Sequence, residues 1–202
     1  MELHDLLTDY GDIGDLPPER RMLVATLDCI EEFGLKGATV RRIASRAGVN
    51  PAAVNYYYRS KDKLIEEALR GAWAHVEKDI ELITREAADA DALFGIATRY
   101  LLEGAFRSPG LIRAVVAEHP TLHLEVADFL KKLFSRMTEQ NGSRKNLERG
   151  LLLLTSFVVF LGFAPNVAKV LSGVDLSNPE ARDNYWTELS VYLFGRAIDG
   201  AG

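Results

Sequence analysis

Apolar side chains recur every three or four positions along most of this 202-residue chain, the spacing of helices that bury one face. No stretch alternates polar and apolar in the two-residue rhythm of a strand, and there is no hairpin signal or internal repeat. After Pro17 and Pro18, the stripe Leu23, Ala25, Thr26, Leu27, Ile30 and Phe33 predicts a first helix with Gly34 as its stop. Thr39 is a good N-cap for a second helix, in which Val40, Ile43, Ala44 and Ala47 share one face. Arg41, Arg42, Ser45 and Arg46 share the other. Gly48 ends that helix, because glycine enters the left-handed region that a helix exit often demands. Asn50 caps a third helix and Pro51 fills its first position, where a missing N–H costs nothing. There Val54, Tyr57 and Tyr58 are expected inside, with Pro51, Ala52, Asn55 and Tyr56 outside. Ser60 caps a longer fourth helix with the stripe Leu64, Ile65, Ala68, Leu69, Ala72, Val76, Ile80 and Ile83.

The remainder also reads as helices, over 90–107, 110–118, 121–140, 144–172 and 179–199. Breaks fall at Ser108 to Gly110, Pro120, Asn141 to Ser143 and Ser172 to Pro179. The predicted fold is all-α: an N-terminal three-helix head on a larger C-terminal helical bundle. Residues 1–17 are expected to be a flexible acidic arm, 18–64 the head, and 65–202 the larger domain.

Charge sharpens this picture. The formal net charge is −5, yet residues 36–63 alone carry +6, from Lys36, Arg41, Arg42, Arg46, Arg59, Lys61 and Lys63 against Asp62. A positive island on an acidic molecule is a focused field that suits a polyanionic partner met at one place. The single cysteine, Cys29, excludes an internal disulfide framework and sits in an apolar stripe, as a buried thiol does. The acidic first residues lack the basic start and apolar run of a leader. Residues 150–168 are uncharged, but Thr155, Ser156, Pro165 and Asn166 dilute them. They are read as a buried or subunit-interface helix rather than a membrane span. A cytoplasmic protein with no membrane contact is expected.

A helix, a tight turn at Gly48 and a second crossing helix make a helix-turn-helix, whose second helix lies in the DNA major groove. Small Ala44 marks the crossing, and Ile43, Ala47, Val49, Val54 and Tyr57 supply apolar support. Residues 19–69 resemble the DNA-binding domain of tetracycline-repressor-like (TetR) regulators. The resemblance is carried by the Thr-Val-x-x-Ile-Ala-x-x-Ala-Gly-Val run from Thr39 to Val49, the Tyr-rich Asn55 to Tyr58, and Ser60, Lys61 and Leu64. It implies a homodimeric, sequence-specific regulator of a palindromic operator, a repressor released by a small molecule in the larger domain. Carried onto this sequence, Thr39 and Lys61 would contact phosphates at helix N-termini, and Tyr56 and Tyr57 the backbone. Arg41, Arg42, Asn50, Pro51, Ala52 and Asn55 are the candidates for base edges, with Arg42 suited to guanine and Asn55 to adenine. Asn55 stands where the family more often has tyrosine, so base readout and phosphate contact are both open for it. The acidic arm, unlike the basic arm of some members, is assigned no groove contact.

Two-fold symmetry is required to place two recognition helices about 34–36 Å apart. The last two helices suit that interface through Leu147, Leu151, Leu154, Val158 and Leu161, and through Tyr185, Leu189, Leu193 and Ala197; by resemblance they form a four-helix bundle. Trp73, Tyr100, Phe106, Phe129, Phe157 and Phe160 are the candidate lining of a pocket for a largely apolar, unidentified effector. The bland reading of each is core. His119 and His123 have the spacing of a helical metal pair, but Pro120 disfavours one continuous helix, so turn histidines are expected and no metal or cofactor is assigned. No nucleophile elbow, paired carboxylates or phosphate loop points to an enzyme. The rivals are a DNA-bound structural or protein-recruiting factor without an effector, and a metal enzyme using Glu118, His119 and His123.

Overall fold

A computed structural model describes residues 13–118, 125–133 and 166–194, with positions 135, 156, 160 and 164. All regular structure among them is helical: α1 (Pro18–Gly37), α2 (Val40–Ala47), α3 (Ala52–Tyr58), α4 (Lys61–Ile83), α5 (Ala90–Arg107), α6 (Pro109–Glu118), a helical stretch at 125–133, α7 (Val167–Ser172) and α8 (Pro179–Phe194). The arm does not run loose to Pro17. A turn of 3-10 helix at Ile13–Asp15 leads to Leu16, which is buried.

Boundaries follow the caps. Thr39 Oγ1 accepts from Arg42 N–H at 3.3 Å, Ser60 Oγ from Lys63 N–H at 3.2 Å and Asp89 Oδ1 from Ala92 N–H at 2.8 Å. Each satisfies one of the donors that the first helical turn leaves open. At Gly34, with φ 70° and ψ 171°, α1 kinks rather than stops, and the chain continues helically to Gly37.

The head is built on α1, which packs against α2, α4 and α6. Its Met22, Leu27 and Ile30 are fully buried with Ile43 of α2, Val54 of α3 and Leu64 of α4. Each such side chain contributes about 1.5–3 kcal/mol of apolar burial. Cys29 lies in the same cluster, and burial pushes its thiol pKa up. That cluster does not end at residue 64: it continues through Ile65, Ala68, Leu69 and Ala72 to Leu111 and Ala114 of α6. Head and larger domain therefore share one core.

Two further clusters build the larger domain. Ile80, Leu93 and Ala97 pack with Phe129, Leu130 and Leu133, while Leu102 packs with Leu176 and Trp186. Arg182 docks α8 on α5 through paired bonds to Glu103, Nε to Oε1 at 2.8 Å and Nη2 to Oε2 at 2.9 Å. This fork-to-fork geometry is the strong form of an ion pair. Phe33, expected in the α1 stripe, is instead 41% exposed, and Tyr57, expected inside, is 43% exposed.

Only Tyr58 of the α3 tyrosines is buried, and its hydroxyl donates to the Glu19 carbonyl of α1 at 2.7 Å. Tyr58→Phe should lose that bond and lower unfolding stability by about 1 kcal/mol, read from urea denaturation.

Candidate nucleic-acid interface and an apolar cavity

The turn between α2 and α3 is made by Gly48 at φ 64°, ψ 38°. The Val49 N–H returns to Ala44 O at 2.9 Å, closing α2 with a left-handed cap. Asn50 Oδ1 accepts from Ala52 N–H at 2.9 Å, and Asn50 O accepts from Ala53 N–H at 2.8 Å. Pro51 already has helical angles, so Asn50 caps α3 as its type predicts. Val54 and Tyr58 hold α3 down, leaving Pro51, Ala52, Asn55, Tyr56 and Tyr57 exposed, with Tyr56 at 81%. The Tyr56 and Tyr57 rings meet edge to face at 5.0 Å. Arg59 ends α3 at φ 64°, a left-handed position that costs a non-glycine residue energy.

Thr39, Arg41, Arg42 and Asn50 are also exposed, and Lys61 is half-buried. All ten residues assigned to DNA thus lie on α2, the turn, α3 or the start of α4, and none is buried. They are not equally ready. Arg42 Nη1 donates to the Gly37 carbonyl at 2.8 Å, and its guanidinium stacks over the Phe33 ring at 4.5 Å. Arg46, omitted from the residues expected to meet DNA, pairs with Glu32 and approaches the same ring at 5.9 Å. Phe33 is therefore a platform for two arginines. To reach a guanine, Arg42 must give up its carbonyl, a bond worth about 1 kcal/mol.

Behind the head lies a cavity of about 360 Å³. Leu69, Ala72, Trp73 and Val76 of α4 line it, with Tyr100, Leu101, Gly104, Ala105 and Arg107 of α5, then Ser108 and Leu111, Ile112 and Val115 of α6. Of the expected lining, Trp73 and Tyr100 are there. Phe129 stands behind the wall, edge-on to Trp73 at 5.6 Å. Phe106 belongs to the Leu102–Trp186 cluster, where Arg182 covers its ring. Phe160 is 45% exposed, and Phe157 lies outside the described residues. The α6 contribution was missed because its apolar residues look like ordinary core.

Both aromatic walls are tethered by their polar tips. Trp73 Nε1 donates to Glu77 Oε1 at 2.7 Å, and the Tyr100 hydroxyl donates to Asp79. Burial first, then that bond to Asp79, pushes the Tyr100 pKa up, so the hydroxyl stays protonated. Of the proposed dimer contacts, Tyr185 packs half-buried against the Leu102 cluster of its own chain. The side chains of Leu147, Leu151, Leu154, Val158, Leu161, Leu189, Leu193 and Ala197 lie outside the described residues, as do those of Glu118, His119 and His123. Among the described residues no group of three or more His, Cys, Asp or Glu side chains could hold a metal, and no helix is long and apolar enough to cross a membrane.

A capped helix, a left-handed glycine turn and a short second helix with an exposed polar edge form a helix-turn-helix. Residues 22–68 match the model of the family of bacterial regulatory proteins of the tetR type. It is 46% identical over 59 residues to the HTH-type transcriptional regulator BetI 1 of Chromohalobacter salexigens, covering 29% of each chain. The first such regulators are thus matched over less than a third of their length. It is 32% identical over 123 residues to the nucleoid occlusion factor SlmA of Pasteurella multocida, covering 57% of this chain and 62% of that one. The fold is similar to that of the fatty acid degradation regulator FadR from Bacillus halodurans, with TM-score 0.63 and 17% identity over 89% of this chain and 98% of that one.

The turn should tolerate no side chain cheaply. Gly48→Ala places a Cβ at φ 64° and should cost about 1 kcal/mol, seen as a lower urea midpoint with an unchanged m-value.

Proposed function

We propose that the chain is a homodimeric, sequence-specific DNA-binding transcriptional regulator, a repressor that leaves a palindromic operator when a small, largely apolar effector occupies the larger domain. It works in the cytoplasm, by binding rather than catalysis. Residues 18–64 act as the DNA-binding head, residues 65–202 as the effector and dimerisation domain, and residues 1–17 as an arm without a groove contact. The observation that carries this reading is α3, pinned by buried Val54 and Tyr58 with Asn55 and Tyr56 outward. In the proposed complex Thr39 and Lys61 meet phosphates, Tyr56 and Tyr57 the backbone, and Arg41, Arg42, Asn50, Pro51, Ala52 and Asn55 the base edges.

A second reading, a DNA-bound factor that recruits protein and takes no effector, is favoured by the likeness to a nucleoid occlusion factor, which extends beyond the head. The cavity weighs for the first reading. Its walls are mostly apolar, with Arg107 and Ser108 among them, a composition that suits a small-molecule site.

Purified protein should select one palindrome from a randomised duplex pool. Asn55→Ala should then cost ~1–3 kcal/mol on that operator and relax preference at one base pair per half-site. Lys61→Ala removes a cation assigned to one phosphate in each half-site. It should weaken binding evenly across sequences and flatten the dependence of log affinity on log salt by roughly one for each of those phosphates. Unchanged affinity, preference and slope in both variants would sink the groove assignment.

The cavity has its own test. Gly104 lines it, and a Cβ there meets nothing within 4 Å. Gly104→Leu should gain up to about 1 kcal/mol of stability by helix propensity. It should also abolish binding of an uncharged naphthylamine dye followed by Trp73 fluorescence. A dye that binds the variant as well as the parent would favour the recruiting factor.

A further inference from the structure

We infer that Glu31 is a positioning residue that couples the cavity to the DNA-binding head by clamping the first turn of α6. This rests on the proposed function: the cavity takes a ligand and the head takes DNA. Glu31 lies on α1, half-buried, and touches neither site. Its Oε1 accepts from Gly110 N–H at 3.0 Å and its Oε2 from Leu111 N–H at 2.9 Å. Both donors belong to a helical first turn, where N–H groups have no acceptor within their own helix. A carboxylate bridging two of them also meets the positive end of the helix dipole.

The two backbones are as close as chains allow. A Cβ on Gly110 would lie 2.6 Å from the Glu31 carbonyl oxygen and 2.8 Å from its Cα. Glycine at this position is what lets the carboxylate reach both amides. The clamped turn is also cavity wall: Ser108, Leu111 and Ile112 line the cavity, and Leu111 belongs at the same time to the core of the head. On the other side α1 carries the recognition helix, through its packing on α2 and through the Tyr58 bond to Glu19. Pressure from a ligand on this turn of α6 is thus delivered to α1 by two charge-assisted bonds. To the close packing between α1 and α6 the bidentate clamp adds two directional bonds to fixed backbone donors. The route is separate from α4, which also lines the cavity and joins the head through Ser60.

The full-length protein, the in vitro selected operator and N-phenyl-1-naphthylamine provide the test. Dye affinity is measured with and without saturating operator, in the parent, Glu31→Gln and Gly110→Ala. In the parent, operator should weaken dye binding by about 5-fold or more, the usual scale of coupling between sites. In Glu31→Gln that ratio should fall below about 2-fold. Each separate affinity should stay within about 3-fold of the parent, because no ligand contact has been removed. Gly110→Ala, which wedges the helices apart, should also uncouple. A residue with a merely structural role would lower the melting temperature and leave the ratio intact, so an unchanged ratio in folded Glu31→Gln overturns the inference. A parent without coupling overturns it too, with both sites standing. Failure of the dye or the operator to bind at all removes the functional reading beneath it. A measurement on the parent alone is independent of variant folding: dye should speed amide exchange of Gly110 and Leu111 several-fold relative to Ala114, and no change speaks against the clamp.

Discussion

Helix α1 has to satisfy three neighbours at once, and most of the molecule's geometry follows from how it does so. Its buried residues pack towards α2, α4 and α6, so it is apolar around much of its circumference, with Asp28, Glu31 and Glu32 among the polar positions left between them. Close packing of this kind is stiff: interiors are as dense as organic crystals, and a displaced helix takes its neighbours with it. A head seated on such a helix is not a bead on a string. Its orientation is set by the same side chains that close the larger domain.

The local signals were the most legible in the sequence. Thr39, Gly48, Asn50 and Ser60 act within four residues of their own position, through backbone groups whose partners lie next to them in the chain. What failed was any inference that needed to know where a neighbouring helix ends. Phe33 continues the apolar spacing of α1, but it falls beside the kink at Gly34, is left outside the core that Leu35 and Ala38 rejoin, and meets arginines instead of leucines. Tyr57 lies one residue from buried Tyr58 on a helix of only seven residues, too short for spacing to separate an inner face from a flank.

The cavity was half legible for the same reason. Trp73 and Tyr100 stand out as large aromatics on long helices, and both are on its wall. Phe106 is equally large, but further along α5 the facing partner is α8, and the ring is covered by Arg182. Which aromatic lines a void depends on the distance between helices, a tertiary quantity with no period of its own. The carboxylates Glu77 and Asp79 take up the polar tips of the two wall aromatics. That keeps their faces available for apolar contact, since an unpaired indole N–H or phenol would otherwise turn towards water or the ligand.

The solitary thiol adds a practical consequence. Cys29 is 1% exposed, packed where the head and the larger domain share their core. A thiol-specific reagent has no path to it while α1 is seated, and burial also disfavours the reactive thiolate. Labelling therefore requires α1 to lift away, and its rate counts those openings. The protein carries an intrinsic chemical stopwatch for the detachment of its own keystone helix, with no engineered reporter needed.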